Sequence, residues 1–427
     1  MQSNYRVSIS KFVFIMVGMV ISGQYFGWNS GITASSSNSY ILAVLLLVIF
    51  FGFFIFGCAI LTHYFMGSDK SITELVGNVL GVRIGIFTGL MCYLEYWFAT
   101  PAIARAFGLY LQSLLPFLPY HLTIIIGFLI VFVANVGSLK YVARIESIAT
   151  IIAILGVLCF YYIGFKDFEA IDNNTVQSAI TMPALGKAIA FGVWLFLGIE
   201  GGITLMHAMK NPKKSGKIAI IIGLAILSFL AIFTSVLFIK SAPTELLLDS
   251  NPLPAFAEYF GHSVMFELLA VTGLIAILAS FNGLTIGYSQ QYQLLANNYS
   301  FKSSKLLAMN LPLVIALVCS LSNDLSQGFV ILSVSSAIVV YALVWVSVIK
   351  LTYSLKRYFL LASYTLALPL LLIVGGCTFY YGALTTSITI FGIRILAAYL
   401  LILLILIAIF IAYFIGTKSR LNFKENC

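Results

Sequence analysis

Charged side chains are scarce in this sequence. Lys, Arg, Asp and Glu make up 9% of its 427 residues, roughly a third of their share in soluble domains. No stretch is polar enough to form a separate soluble domain. The cysteines carry no framework either: Cys58, Cys92, Cys159, Cys319 and Cys377 lie inside apolar runs and Cys427 is the last residue, none at the spacing of a zinc site or redox pair. His63, His121, His207 and His262 are scattered near the ends of apolar runs, without ligand spacing. No nucleotide-binding or HExxH-type motif is present. These gaps argue against a metal centre, a cofactor enzyme and a nucleotide-driven pump, and no cofactor is expected.

Apolar residues are abundant: 61% of the chain is hydrophobic and the mean hydropathy is +1.06. At about 20 apolar residues per spanning helix, this predicts an all-α, polytopic membrane protein of about twelve transmembrane helices joined by short loops. The expected spans run from Lys11–Thr33 to Phe391–Ile415. Spans three, Ile84–Leu115, and eight, Val264–Leu295, are long enough to include strong tilt or turns outside the membrane. Ala34-Ser35-Ser36 has the small residues of a signal-peptide cleavage site, but cleavage would leave an odd number of spans, so the first helix is expected to be retained.

Basic residues orient the bundle. With both termini cytoplasmic, 18 Lys and Arg fall on inner loops and tails, against Lys166, Lys187 and Lys240 outside. Asp167, Glu169, Asp172, Glu245, Asp249, Glu258 and Asp324 then face outward. The formal net charge of +9 thus reflects topology in a multi-pass protein of the cell membrane, with no nucleic-acid partner. The basic cluster Lys210 to Lys217 is topogenic and can also touch anionic membrane lipid.

Two apolar spans are interrupted by small and polar residues. The first is Val20-Ile21-Ser22-Gly23-Gln24-Tyr25-Phe26-Gly27-Trp28. The second, Phe196-Leu197-Gly198-Ile199-Glu200-Gly201-Gly202, lies inside the sixth span, Leu185–Met209, and places a carboxylate between glycines at membrane depth. Irregular backbone is tolerated there only where it packs on protein or lines a cavity. Gly23 and Gly198 are 175 residues apart, or five spans of about 35 residues with their loops. An odd number of helices per half gives the halves opposite orientations. Paired broken helices at matching positions of inverted halves point to the binding site of a secondary transporter. The expected organisation is therefore a core over residues 1–350, of two inverted five-helix halves at about 11–165 and 185–350, followed by two additional helices and a tail over 351–427.

The run Val20 to Asn29 resembles the first-helix signature of amino acid permeases, above all the ethanolamine permease branch of the amino acid, polyamine and organocation superfamily. Glu95-Tyr96-Trp97-Phe98-Ala99-Thr100-Pro101-Ala102-Ile103-Ala104 is similar to that branch's third helix, Phe196 to Gly201 to its broken sixth and Lys210-Asn211-Pro212-Lys213-Lys214 to the loop that follows. Gly287-Tyr288-Ser289 and Leu294-Leu295-Ala296 are a weaker match. The resemblance implies the five-plus-five inverted-repeat fold with two peripheral helices. Some positions depart from it. Ile21 stands where most members have the first glycine of Gly-Ser-Gly, leaving less room for backbone amides to surround a carboxylate. His207 and Ala208 replace acidic residues, Gln290 replaces a basic one, and the fifth span lacks the mid-membrane lysine that some relatives use in ion coupling.

Freed amides and carbonyls at a helix break offer both donors and acceptors. Ser22, Gly23, Gln24, Tyr25 and Gly27 from the first break, with Phe196, Gly198, Ile199, Glu200 and Gly201 from the sixth, are the candidate substrate contacts. A buried carboxylate in a membrane must be paired or protonated. Glu200 can contact a cationic solute, carry a coupling proton, or hold the half-helices together. Glu95, near mid-depth in the third span, is a candidate for the site or for coupling. Arg105 lies ten residues later, about 15 Å along the helix, too far to pair with Glu95 and suited to a structural or gating pair; Pro101 between them is expected to bend the helix. Among the aromatics, Tyr25 and Phe196 adjoin the breaks and are placed to enclose an ammonium. Ser280 and Asn282 in the eighth span are candidates for an ion site or for polar helix contacts.

Together these readings predict a secondary active transporter for a small amine-bearing solute, an amino acid or an amino alcohol such as ethanolamine. It would work by alternating access with H+ or Na+ as the possible coupling ion, in symport or in exchange. The competing class is a non-transporting membrane sensor or assembly subunit that retains the fold. The oligomeric state is not legible in the sequence.

Overall fold

The computed structural model describes residues 8–65, 71–136, 139–167, 179–205, 209, 215–298, 305–390 and 393–418. His207, Ala208 and the basic run from Lys210 to Lys214 lie outside the described residues.

The first span begins as α1 (Ile9–Val20), tightens into a 3-10 turn over Ile21–Gln24 and resumes as α2 (Ser30–Ala34). Gly27, at φ +88°, supplies the left-handed backbone between the pieces. α3 (Ser37–Phe65) is apolar on every face and carries no Asp, Glu, Lys or Arg, as a helix with lipid on one side and protein on the other must be. α4 (Ile72–Leu80) is a short amphipathic helix started by a capping box between Ser71 and Glu74. Then come α5 (Val82–Leu114), α6 (Tyr120–Val136) and α7 (Leu139–Lys166).

The second half repeats this order. α8 (Met182–Gly192) gives way to a 3-10 turn over Val193–Leu195 and then to tight turns, and α9 (Gly201–Leu205) completes the broken sixth span. α10 (Lys217–Ser241) leads through a 3-10 turn to the short α11 (Pro252–Tyr259). The long α12 (Ser263–Asn298), α13 (Lys305–Ser320) and α14 (Asn323–Ser354) close the five-plus-five core.

The peripheral part comprises α15 (Tyr358–Leu366), α16 (Leu368–Cys377), a π-helical turn over Thr378–Ala383, an antiparallel hairpin of β1 (Ser387–Ile390) and β2 (Ile393–Leu396), and α17 (Ala397–Lys418). The hairpin pairs Ser387 with Leu396 and Ile390 with Ile393. It is a single two-stranded sheet among the described residues of the all-α bundle, and it takes the first residues of the expected last span, because Ile388, Thr389, Ile390, Ile393 and Ile395 are β-branched.

Among the described residues, seven helical segments are long and apolar enough to cross a membrane, and four shorter apolar helices include the first parts of both broken spans. With α5, which carries Arg83, Glu95 and Arg105, the crossings reach the expected twelve, and the protein is a multi-pass membrane protein. α5 and α12 run as unbroken helices of 33 and 36 residues. α5 lies at the centre, packed against α4, α12 and α14. One further boundary matters for function: the apolar segment of the fifth span runs from Arg144 to Lys166, close to the expected Ile145–Phe165, but its helix starts at Leu139, so Glu146 sits about two turns inside the helix rather than at its edge.

Candidate functional site

The two breaks touch. A Cβ at Gly23 would lie 2.9 Å from the Trp194 carbonyl oxygen and 3.4 Å from the Leu195 Cα, an approach only glycine allows without displacing the sixth-span backbone. Gly198 holds φ +94°, and a Cβ there would stand 3.5 Å from the Met19 carbonyl oxygen. Each break therefore packs a glycine against the other break's backbone.

Neighbouring helices hold both breaks in place. The Ser280 hydroxyl on α12 donates to the Gly18 carbonyl at 2.8 Å and accepts the Ser22 N–H at 3.2 Å, which satisfies two groups that the change from α to 3-10 geometry would leave exposed. Tyr25 donates to the Ala153 carbonyl on α7 at 2.6 Å, and Tyr110 on α5 donates to the Tyr25 carbonyl at 2.7 Å. The sixth break rests on an aromatic cluster: the Phe196 ring stacks on Phe51 of α3 at 4.8 Å, and Tyr341 of α14 packs against Phe51 and Phe54 at 5.4 and 4.4 Å.

Between the breaks lies a cavity lined by Met19, Val20, Ser22, Gly23, Glu95, Tyr96, Ala99, Ile103, Trp194, Leu197, Gly198 and Leu284. Its free volume is about 10 Å³, room for about one water molecule. The arrangement is closed, and any solute larger than water requires the walls to separate.

Two acids meet beside this cavity. Glu95 on α5 and Glu200 in the sixth break are fully buried, 1% and 0% exposed, and their carboxyl groups lie within hydrogen-bonding reach of each other. Tyr341 donates to Glu200 Oε2 at 2.8 Å. Glu200 Oε1 and both Glu95 oxygens have no other donor among the described residues. As two carboxylates the pair would repel; a shared proton turns the contact into a hydrogen bond, and a bound cation satisfies both acids at once. The Trp194 indole N–H is buried without a partner, the Tyr96 hydroxyl lies within reach of Glu200, and both residues line the cavity. The site thus offers negative charge for a cation and two neutral groups for hydrogen bonds.

The structure divides the expected site residues. Ser22, Gly23, Glu95 and Gly198 line the cavity, and Glu200 joins it through Glu95. Gln24, Tyr25, Gly27, Phe196, Ile199 and Gly201 are not among the lining residues. Tyr25 is committed to Ala153 and Phe196 to Phe51, so the aromatic walls are Tyr96 and Trp194 instead. The Gln24 side-chain amide is buried without a partner, and Gly27 seats the Trp194 indole, whose nitrogen would be 3.0 Å from a Cβ there. Among the described residues Arg105 meets no acid: it donates to the Ser320 carbonyl at 3.0 Å and lies over the Tyr120 ring at 5.3 Å, tying α5 to the ends of α13 and α6. Ser280 clamps α1, while Asn282 donates to Glu146 at 3.1 Å.

Tyr341 and Glu146 escape the sequence reading. Tyr341 is one of 23 tyrosines and nothing in its flanking residues marks it. Glu146 has a sequence signal, an acid two residues past Arg144, which reads as a helix edge when the helix is taken to start with the apolar run at Ile145. Among the described residues, no group of three or more His, Cys, Asp or Glu is placed to hold a metal ion.

Residues 8–426 match the family model described as "Amino acid permease". Among characterised proteins, the chain is similar to the serine/threonine exchanger SteT of Bacillus subtilis, 28% identical over 218 residues, covering 48% of this chain and 49% of SteT. It is 26% identical over 144 residues to the putrescine transporter PotE of Escherichia coli, 33% of each chain, and 24% identical over 175 residues to the cadaverine/lysine antiporter of the same organism, 39% of each. The chain thus spans half or less of the length of the curated relatives it matches. A solved mutant of the Eremococcus coleocola manganese transporter superposes with a TM-score of 0.59 at 14% identity, covering 96% of this chain and 93% of that one. This likeness shows the fold.

Proposed function

Since the chain belongs to the amino acid permease family, we propose that it is a secondary transporter that carries a small solute bearing a cationic amine across the membrane by alternating access. The observation that carries this reading is the pair Glu95 and Glu200, with three carboxyl oxygens lacking a donor beside a cavity lined by no basic side chain. Such a site favours an ammonium group, because a desolvated acid pair without a counter-ion is costly and a cation removes that cost. The Trp194 N–H and Tyr96 hydroxyl supply hydrogen bonds to the rest of the solute, as a hydroxyl or carboxylate needs.

The relatives' names narrow the class to amino acids and short diamines, and the resemblance to ethanolamine permeases adds amino alcohols. An acid pair that either a proton or a cationic amine can neutralise suits exchange of the amine against a proton or a like-charged solute better than sodium coupling, which calls for a dedicated oxygen cage. In this scheme the unoccupied pair takes up a proton, the solute displaces it, and the neutralised site lets one bundle rock against the other. The core over residues 1–350 performs this motion, residues 351–427 flank it, and both termini face the cytoplasm of a cell membrane, as the distribution of basic residues supports.

Reconstitution in liposomes tests the proposal. Labelled serine, ethanolamine, putrescine and lysine are offered under an imposed proton or sodium gradient. Accumulation of at least one of them above protein-free vesicles supports transport, and its gradient dependence identifies the ion. Saturable binding without flux under every gradient contradicts it.

A further inference from the structure

On the outer surface of the bundle, away from the solute cavity, α6 and α13 flank a groove with a free volume of about 290 Å³, close to the lower limit of small-molecule sites at about 300 Å³. Its lining residues recur at i, i+3, i+4 and i+7 on both helices, from Ile125 to Phe132 on α6 and from Asn310 to Leu317 on α13. Each helix therefore contributes one continuous stripe about 10 Å long. Phe128 and Leu313, 6% and 5% exposed, form the floor, and Leu129 and Val314, 57% and 60% exposed, form the rims. Both walls are fixed from behind. Phe128 packs edge-on against Phe281 of α12 at 4.9 Å, and Asn135 of α6 donates to Asn282 Oδ1 at 2.6 Å. Behind α13, Trp97 of α5 donates to the Pro312 carbonyl at 3.0 Å and Tyr288 of α12 to the Met309 carbonyl at 3.2 Å. The groove stands open because each wall is tied to the core.

Asn310 is the polar exception in this apolar lining, and its Oδ1 is buried without a donor among the described residues. An amide oxygen left unmet beside hydrocarbon is costly, so the groove calls for an occupant with a polar group at this point. As the fourth and ninth crossings, α6 and α13 run in opposite directions, which places Phe132 and Asn310 at the same end. Beyond that end stands Lys305, the first residue of α13, about 7.5 Å further along the helix. Lys140 and the exposed Arg144 lie in the first turns of α7, the helix that follows α6. The rise from Asn310 to Lys305 matches the thickness of a headgroup layer, about 5–7 Å on each side of the hydrocarbon core. An apolar stripe, a hydrogen-bonding group and a basic border thus follow one another in the order of a phospholipid's acyl chain, glycerol region and phosphate. The basic border selects an anionic headgroup.

We propose that the groove holds one anionic phospholipid, with an acyl chain along the stripe between α6 and α13, its glycerol region at Asn310 and its phosphate at the level of Lys140, Arg144 and Lys305. With both termini in the cytoplasm, this is a lipid of the cytoplasmic leaflet. A zwitterionic lipid fills the same stripe but brings no net charge to the basic border. A second copy of this chain, inserted in the same orientation, carries its own basic end at the same depth, and the two borders repel. The site rests on the packing of α6 and α13 and is independent of the transport reading.

Native mass spectrometry tests the site. The full-length protein is stripped of lipid in detergent and titrated with phosphatidylglycerol or with phosphatidylcholine of the same acyl chains. The wild-type protein is expected to retain one phosphatidylglycerol at concentrations where phosphatidylcholine is lost. Lys305→Gln combined with Arg144→Gln should weaken phosphatidylglycerol binding roughly 25-fold, at about fivefold per basic side chain, and leave phosphatidylcholine unchanged. Val314→Trp, which fills the groove from its exposed rim, should remove the retained lipid; if that variant fails to fold, Leu129→Trp on the facing rim makes the same test. Equal retention of the two lipids by the wild-type protein, or phosphatidylglycerol binding undiminished in either the charge variant or the groove-filling one, overturns the proposal. So does a dimer that Val314→Trp dissociates without loss of bound lipid, because the occupant is then a second copy of the chain.

Discussion

The Tyr341 hydroxyl donates to Glu200 Oε2 at 2.8 Å, leaving the other oxygen of that carboxyl without a donor among the described residues. A residue on α14 thus orients an acid in the sixth-span break, while the backbone of Glu95 is itself held from α14 by the Ser333 hydroxyl, at 2.6 Å. One helix sets the position of both acids. Tyr341→Phe keeps the ring among Phe50, Phe51 and Phe54 and removes only the donor. A hydrogen bond to a charged group is worth about 1.5–3 kcal/mol, so solute affinity is expected to fall roughly tenfold or more. Titration calorimetry on the folded variant checks it, with far-UV circular dichroism unchanged.

Neutralising either acid weakens the hold on the amine. Truncating one partner of a buried charged contact costs about 2–5 kcal/mol, so Glu95→Gln and Glu200→Gln should each weaken binding of a cationic amine on the order of 30-fold or more. Both variants should also flatten the pH dependence of binding, because the proton that competes with the amine has lost half of its site. Binding isotherms from acid to alkaline pH measure both effects.

Trp194→Phe separates the second recognition element. The ring against Phe26, at 5.6 Å in an edge arrangement, survives, but the partnerless indole N–H does not. Ethanolamine or serine should lose about 1 kcal/mol, roughly fivefold in affinity, whereas a plain alkylamine, with nothing for the N–H to bind, should bind as before. Competition against a labelled solute distinguishes them.

Much of this site is legible in the amino-acid sequence. The paired interruptions, their separation and the lone acid between glycines follow from the cost of polar groups in a membrane, which leaves few places for them. Helix periodicity does not report which side of a broken segment faces its partner, so the sequence points to Tyr25 and Phe196 where the cavity has Tyr96 and Trp194. Adjacency to a break is a statement about the backbone, and the side chains turn to Ala153 and Phe51. Glu146 escapes for another reason. Lys140 and Arg144 lie within the first turns of α7, and a hydropathy window starts the span after them, although the helix itself starts before. Tyr341 shows a further limit, since its role depends on a contact across 141 residues that no local pattern encodes.

Glycine at 198 is a backbone requirement. At φ +94° a side chain costs about 1–2 kcal/mol, and that strain falls on the turn that presents Glu200. Gly198→Ala should lower the thermal midpoint and impair flux together. Gly52→Ala is the control, since a Cβ there meets nothing within 4 Å and alanine favours the helix; its midpoint should match or exceed wild type. Melting curves at a single scan rate and uptake from the same preparations read both.

Recognition of a cationic amine by the acid pair is read out by counterflow in liposomes. Vesicles are preloaded with ethanolamine, or with ethylene glycol as the analogue lacking the amine, and the entry of labelled ethanolamine is followed. Counterflow is expected from the amine-loaded vesicles and none above background from the glycol-loaded ones, with loss of the difference in Glu200→Gln. Equal counterflow from both preloads, or an undiminished preference in Glu200→Gln, would contradict it.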